Sequence, residues 1–321
     1  MQVIYIDDST VIEKETATTI GFFDGVHRGH RHLIKQLKKQ AQALNLPTSV
    51  ITFSEHPGKV IQNNRSIQLL NSFDERIQLL ASTGIDYCYV IDFTKKFART
   101  SAEDFIKEKL HKQFNIKMLL VGYDHKFGKG RSGDFQQYLE YGKDCGITVE
   151  KAERLHNEEV SISSTKIRND LREGDVESAA KMLSYNYTLE GAVIIGNKLG
   201  RTIHFPTANL ELIEKDKLIP LEGVYTAWAH IDDQKYQGMI YIGKRPTVST
   251  QGEERIEIHI FNFNQDIYGK KIQIEFVDFL RQDISFNGIE ELQKQLEKDK
   301  EIAIQRLSNI TNASRHCEAK S

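Results

Sequence analysis

The order of strand-like and helix-like patterns constrains the fold of this chain more than any other feature. Up to about residue 183, short apolar runs alternate with amphipathic helical patterns. Such alternation predicts a parallel sheet with helices on both faces. From Tyr187 onward, strand-like runs follow one another across turn residues without helices between them. This second part predicts a small antiparallel barrel, so we expect an α/β domain followed by an all-β domain.

The individual elements follow from local signals. The strands expected in the first part are Val3–Ile6, Thr18–Phe22, Ser49–Phe53, Tyr87–Ile91 and Met118–Gly122. A first helix is expected to bury Leu33, Leu37, Ala41 and Leu44 on one face. Ser72 with Glu75, and Ser101 with Asp104, have the spacing of helix-starting capping boxes.

The second part is expected to contain a small antiparallel barrel and one final helix. Its clearest strand-like runs are Gly223–Ile231, Tyr236–Ile242, Ile256–Phe263 and Lys271–Leu280. The helix is predicted from about Gly288 to Leu307 by apolar residues at helical spacing. We therefore expect domains at residues 1–184 and 185–310, followed by a polar, disordered tail at 311–321.

Composition limits the classes of function. A chain of 321 residues suffices for two domains, and a formal net charge of −2 gives no long-range attraction for nucleic acid. The sequence has no secretory signal and no apolar run of membrane-spanning length. Its three cysteines lack metal-ligand spacing. These features predict a cytoplasmic protein with neither a nucleic-acid nor a membrane partner, and they leave its oligomeric state open.

A glycine- and histidine-containing segment follows the second predicted strand. Residues 21–30 read Gly-Phe-Phe-Asp-Gly-Val-His-Arg-Gly-His and lead into the first helix. Gly21 and Gly25 allow the backbone to approach a phosphate, and the helix N-terminus attracts an anion. His27 and His30 can share one face of the first turn and stabilise a reacting α-phosphate. The alternatives are a polar surface turn or a zinc site, which would lack a full ligand set.

Two further segments of the first part suit phosphate binding. Residues 161–168 read Ser-Ile-Ser-Ser-Thr-Lys-Ile-Arg and combine hydroxyl groups with helical cations. Residues 122–131 form a glycine-rich, basic loop after a predicted strand. An ordinary helix cap and a solvated turn are the alternative interpretations.

A different set of polar residues lies in the second part. Residues 205–209 read Phe-Pro-Thr-Ala-Asn, typical of a strand edge because Pro removes a ladder donor. Thr207 and Asn209 alternate onto one face and offer neutral oxygens, which suit Mg²⁺. The stretch between Gly196 and Gly200 is flexible enough to fold over a triphosphate. Neither the segment at 21–30 nor the segment at 196–209 is a Walker A loop. Because the two segments also differ from each other, two unlike nucleotide sites are expected.

Glu257 and His259 share a strand face by the period of two. A carboxylate there could accept a proton from an attacking hydroxyl. On the residues alone, an ordinary charged strand position is the stronger interpretation.

Taken together, these motifs resemble the bacterial bifunctional riboflavin kinase/FAD synthetase (FMN adenylyltransferase) family over nearly the whole chain. The resemblance rests on the order and spacing of the segments at 21–30, 52–57, 124–128, 161–168, 205–209, 223–225, 242–247, 257–259 and 279–281. It implies a Rossmann-like nucleotidyltransferase domain followed by a six-stranded antiparallel β-barrel kinase domain with a C-terminal helix. The implied reactions convert riboflavin to FMN and FMN to FAD, each with ATP and Mg²⁺.

The resemblance also implies roles for particular residues. His27 and His30 would act on the adenylyl-transfer transition state, and Glu257 would be the base of the kinase. The ATP- and flavin-binding set would comprise Gly21, Phe22, Asp24, Gly25, His56, Asp124, Ser164, Thr165, Arg168, Gly196, Gly200, Thr207, Asn209 and Arg281. Within that set, Thr207 and Asn209 would bind the metal.

The chain departs from the family pattern at four positions. Glu55 stands where Pro is usual, His125 where Phe is usual, His204 where Gly is frequent and Tyr241 where Asn is frequent. His204 and Tyr241 lie in the kinase part and put its rate and affinity in question.

Three other functions remain open from the sequence. An adenylyltransferase with a weakened barrel would not form FMN from riboflavin. A pantetheine-phosphate or nicotinamide nucleotidyltransferase would leave the Phe-Pro-Thr-Ala-Asn segment unexplained. A non-catalytic flavin-binding regulator would bind flavin without ATP turnover.

Overall fold

The computed structural model describes residues 1–62, 67–123, 126–131, 134–155, 162–196, 200, 203, 205–244 and 254–318. The chain divides into two compact units, Met1–Ser164 and Thr165–Ser321. The predicted division at 184/185 falls later, because the helices that follow Ser164 group with the second unit.

The first unit is built on a six-stranded parallel sheet. Its strands are β1 (Gln2–Ile6), β2 (Thr16–Ile20), β3 (Thr48–Phe53), β4 (Tyr87–Ile91), β5 (Ile116–Val121) and β6 (Thr148–Lys151). They lie in the order β1-β4-β3-β2-β5-β6. The five predicted strands are confirmed within one or two residues at each end. The sixth was missed because Val149 is its only buried residue, which gives too weak an apolar pattern.

Helices cover both faces of this sheet. They are α1 (Arg28–Ala43), α2 (Pro57–Gln62), α3 (Phe73–Ala81), α4 (Ala102–Asp104, continued by a π-helix at Phe105–Gln113) and α5 (Phe135–Cys145). Single 3-10 turns lie at Phe97–Arg99 and Lys129–Arg131. Successive strand residues point to opposite faces, so that Val50 and Ile51 belong to separate cores on the two sides of the sheet. The α/β prediction is therefore confirmed.

Local signals located the helix starts well. The Ser72 hydroxyl accepts a hydrogen bond from Glu75 N at 3.1 Å, and Ser72 N donates to the Glu75 carboxylate at 2.8 Å. Ser101 caps α4 by accepting from Asp104 N at 3.0 Å. The predicted face of α1 was wrong at Leu44, which follows the last helical turn and is half exposed.

The second unit consists of two helices, a closed barrel and a final helix. The elements are α6 (Ser164–Arg172, whose first residue belongs to the other unit), α7 (Val176–Leu183), β7 (Thr188–Ile194), β8 (Ala208–Leu212), β9 (Gly223–Ile231), β10 (Gln234–Lys244), β11 (Glu254–Ile260), β12 (Lys271–Arg281) and α8 (Ile289–Glu318). The six antiparallel strands close in the order β10-β11-β8-β7-β12-β9. The barrel prediction is confirmed, whereas α8 continues past its predicted end at Leu307. No helix in the described part of the chain is long and apolar enough to cross a membrane.

Helix α8 is fixed to the outside of the barrel by apolar packing and by buried charge. Ala303 and Leu307 pack against Met239 and Val277 of the barrel wall. Arg281 of β12 donates from Nε and Nη2 to one oxygen of Asp299, each at 2.9 Å. Asp299 is only 2% exposed, so this ion pair is largely removed from water.

We predict that Asp299→Ala lowers the free energy of unfolding of the barrel by about 3 kcal/mol, because it leaves the Arg281 guanidinium uncompensated. The single tryptophan, Trp228, lies on β9, so its fluorescence during urea unfolding reports this unit. Lys271→Ala, which removes an exposed ion pair with Glu190 within the same barrel, is the control and should change stability by less than about 1 kcal/mol. Equal effects of the two substitutions would contradict a stabilising role for the buried pair of Arg281 and Asp299.

Candidate active site

The segment between β2 and α1 folds into a compact and strained turn. Phe23 and Val26 have positive φ values of 59° and 35°, which non-glycine residues rarely adopt, and Gly25 has a φ of 83°. The ring of Phe23 lies under Gly21, where an added Cβ would come within 3.2 Å of it. Backbone strain of this kind concentrates at functional sites. The turn is therefore closely packed against the Phe23 ring. The approach of a phosphate to Gly21 and Gly25 stays a prediction.

The two predicted catalytic histidines lie together at the start of α1. His27 is the N-cap residue, and its Nδ1 accepts a hydrogen bond from His30 N at 3.3 Å. The two imidazole rings are stacked, with centroids 3.7 Å apart and an interplanar angle of 16°. Both rings thus lie at the positive end of a 16-residue helix, where an anion is stabilised.

The remaining predicted residues of this turn mainly shape it. The buried Asp24 carboxylate accepts from Leu70 N at 3.0 Å, and the Asp24 carbonyl accepts from the Ser164 hydroxyl at 2.9 Å. His56 packs edge-on against Phe22, with ring centroids 4.6 Å apart. Asp24 and Ser164 therefore hold the loop, and Phe22 and His56 form an aromatic pair beside it.

No sequence motif marked Arg76 of α3, whose side chain supports the same turn. Its guanidinium donates to the carbonyls of Phe22 and Phe53, at 3.2 and 2.6 Å, and lies 3.9 Å over the Phe22 ring. Burial lowers the pKa of Arg76 to about 10, and the nearby Asp24 carboxylate opposes that shift. The sequence did carry one signal of its burial, because Arg76 lies on the apolar face of α3 between Phe73 and Leu80.

The second site lies on the barrel wall, where strand register sets a row of polar residues. Glu257 of β11 pairs with Asn209 of β8 on one side and Tyr241 of β10 on the other. Thr207 precedes β8 and donates its hydroxyl hydrogen to Glu257 Oε2 at 3.1 Å. The other oxygen, Oε1, forms an ion pair with Arg255. The structure thus brings together Thr207, Asn209 and Glu257, as the sequence predicted.

This row faces the outside of the barrel. Directly opposed residues of paired strands share a face. Met239 opposes His259 and Tyr241 opposes Glu257, so these four side chains lie on the same face of the sheet. Met239 and Tyr241 belong to the apolar cluster that includes α8 residues. Ile258 and Ile240 fill the opposite face, the barrel interior. The site is therefore on the wall that α8 covers in part.

Glycines give this wall room for close approach. Gly196 lies directly against the Asn209 side chain, and a Cβ there would overlap it. The carbonyl of Gly200 accepts from Phe205 N at 2.8 Å, where a Cβ would also overlap the backbone. Both glycines are thus required by space at the positions where a loop over triphosphate was predicted.

His259 and Arg281 are engaged elsewhere. His259 Nδ1 lies 2.8 Å from the Pro206 carbonyl, which can only accept, so this nitrogen carries the hydrogen. Burial lowers the pKa of His259, which keeps the ring neutral. The Arg281 guanidinium forms its ion pair with Asp299, a carboxylate of helix α8.

Some predicted positions are less informative. Asp124, His125 and His204 lie outside the described residues. In the second unit, Thr165 is exposed and Arg168 half-buried on α6.

Among the described residues, no three His, Cys, Asp or Glu side chains form a metal-binding group. A hard cation would instead meet neutral oxygens of Thr207 and Asn209, a donor set that suits Mg²⁺.

The chain is similar to known proteins over both units. The sequence model of the FAD synthetase family matches residues 9–166, and that of the riboflavin kinase family matches residues 183–307. A curated relative from Listeria monocytogenes is 36% identical over 308 residues, covering 94% of this chain and 96% of its own. One from Bacillus subtilis is 37% identical with the same coverages, and one from Escherichia coli is 34% identical, covering 88% and 89%.

All three relatives are named bifunctional riboflavin kinase/FMN adenylyltransferases. A crystal structure described as a macrolide-efflux protein from Streptococcus pneumoniae is also similar, with a TM-score of 0.85 and 32% identity over 94% of this chain and 99% of its own. The matched motifs, both units and the near-complete coverage agree, and the chain belongs to the family of bifunctional riboflavin kinase/FMN adenylyltransferases.

Proposed function

We propose that this chain makes FAD from riboflavin in two ATP-dependent steps. The first transfers the γ-phosphoryl group of ATP to riboflavin and yields FMN and ADP. The second joins FMN to the adenylyl group of a second ATP and releases pyrophosphate. The observation that carries the proposal is the buried Glu257 carboxylate beside Thr207 and Asn209, because a non-catalytic flavin-binding protein has no need of a base beside a cation site.

In the kinase step, Glu257 accepts the proton of the terminal ribityl hydroxyl as that oxygen attacks the γ-phosphorus. Thr207 and Asn209 would hold Mg²⁺, which when bound neutralises charge on the phosphate oxygens. Gly196 and Gly200 allow backbone to lie close to the nucleotide. Arg281 is proposed to contact flavin or nucleotide with a guanidinium whose orientation Asp299 fixes.

In the adenylyl-transfer step, the FMN phosphate is itself the nucleophile, so no protein nucleophile is needed. His27 and His30 donate hydrogen bonds to the α-phosphate as negative charge develops on it. Gly21, Phe22, Asp24, Gly25 and His56 shape the ATP and flavin site around them. Asp124, Ser164, Thr165 and Arg168 are proposed to bind FMN or the ATP phosphates.

The same proposal covers domain organisation and location. We propose an adenylyltransferase domain at 1–184 and a kinase domain at 185–310. Cys88 and Cys145 are free thiols, which fits a protein of the reducing cytoplasm.

We predict that His30→Ala reduces FAD formation from FMN by about 100-fold, because one donor to the transition-state charge is lost. FMN formation from riboflavin should stay within about twofold of the original rate. Flavins separated by chromatography give both rates. His32→Ala, which removes an imidazole from the same helix outside the proposed site, is the control. Loss of both activities in a folded His30→Ala protein would rule out separate sites.

Glu257→Gln should have the opposite effect. FMN formation from riboflavin should fall at least about 100-fold, since the amide cannot take the hydroxyl proton. FAD formation from supplied FMN should continue at its original rate. Glu211→Gln on the neighbouring strand β8 controls for the loss of one barrel carboxylate. A Glu257→Gln protein that still made FMN rapidly would show that another group is the base.

A further inference from the structure

Arg255 is a residue of the kinase site that the sequence analysis did not single out. It lies two positions before Glu257 on β11, so both side chains point to the same face of the barrel wall. Its guanidinium Nη2 forms an ion pair with Glu257 Oε1, while the Thr207 hydroxyl donates to Oε2. One oxygen of the carboxylate therefore accepts a hydrogen bond, whereas the other, which has no hydrogen-bond partner among the described residues, is held by the charge of Arg255.

The two partners of the carboxylate differ in freedom to move. The Arg255 side chain is 32% exposed, whereas that of Glu257 is only 10% exposed. The Arg255 side chain thus contacts solvent while its Nη2 holds the buried carboxylate, and its Nε makes no hydrogen bond among the described residues. Arg255 is therefore the partner that can move away from Glu257 without disrupting the barrel.

Two other described residues near Glu257 do not replace this cation. Tyr241 lies across from Glu257, but burial raises its pKa to about 12, and its hydroxyl donates to Asp283 at 2.9 Å. Lys244, further along β10, forms an ion pair with Glu222. Among the described residues, Arg255 is consequently the cation that holds the Glu257 carboxylate.

The kinase reaction sets two opposing demands on this pair. Glu257 must come within hydrogen-bond distance of the riboflavin hydroxyl, and a guanidinium on its oxygen competes with that contact. A triphosphate supplies oxygens of higher charge than a carboxylate, and a guanidinium binds them with two parallel hydrogen bonds. Nucleotide binding therefore offers Arg255 a better partner and frees Glu257.

We propose that Arg255 is a positioning residue that couples the two substrates of the kinase. It holds the Glu257 carboxylate in the absence of nucleotide and releases it to the flavin hydroxyl when phosphate oxygens take the guanidinium. This inference rests on the proposed kinase function. It makes riboflavin bind more tightly once a nucleotide is present.

The test is the dissociation constant of riboflavin, measured by flavin fluorescence with the full chain and Mg²⁺, with and without saturating ADP. In the unaltered protein, ADP should tighten riboflavin binding by about 10-fold, within the usual range of coupling between sites. In Arg255→Gln the ratio should fall to about 1, because the carboxylate is already free. Glu257→Gln should also abolish the coupling.

Lys244→Gln is the matched control, since it removes a neighbouring cation and should keep the coupling. FAD formation from FMN checks that each variant is folded. Coupling that persists in Arg255→Gln, or that is absent from the unaltered protein, would overturn the inference, as would its loss in Lys244→Gln. Failure of the unaltered protein to make FMN from riboflavin would instead refute the proposed function, because the binding ratio does not depend on turnover.

Discussion

The register between β8 and β11 is the constraint on which the kinase site depends. It places Glu257 opposite Asn209 and next to Thr207, and the pairing of β11 with β10 adds Tyr241 to the same row. A shift by one residue would turn the carboxylate into the barrel interior and bring Ile258 to the outer face. Barrel closure removes free edges and so fixes this register. The geometry of the site is thus a property of the whole sheet.

The first unit solves a similar problem by different means. A parallel sheet presents the carboxyl ends of its strands at one edge, and the turn after β2 leads directly into α1. The turn contains unfavourable backbone conformations at Phe23 and Val26, which must be held by surrounding contacts. Arg76 supplies part of that support through two backbone carbonyls. A buried charge therefore stabilises the loop that positions His27 and His30.

Much of this could be predicted from sequence because the signals are local or periodic. Strand–helix alternation gave the parallel sheet, and Ser72 with Glu75 marked a helix start that the structure contains. The period of two predicted that Thr207 and Asn209 share one face.

Other features depend on contacts between distant segments. The partnership of Arg281 with Asp299 joins residues on β12 and α8, and no local pattern distinguishes it from ligand binding. Arg76 looked like one charged residue of an amphipathic helix. Arg255 and Glu257 are close in sequence, but the role proposed for their ion pair also depends on Thr207, which is distant in sequence and contacts the same carboxylate. Helix α8 continues past Leu307, where the apolar period that predicted it ends.

Labelled ATP tests the central claim, two different phosphate chemistries in one chain, most directly. The protein would be incubated with riboflavin, Mg²⁺ and ATP labelled at either the γ- or the α-phosphorus. The account predicts that γ-label enters both FMN and FAD, whereas α-label enters FAD alone. Label from the α-phosphorus in FMN, or FAD without γ-label, would contradict it.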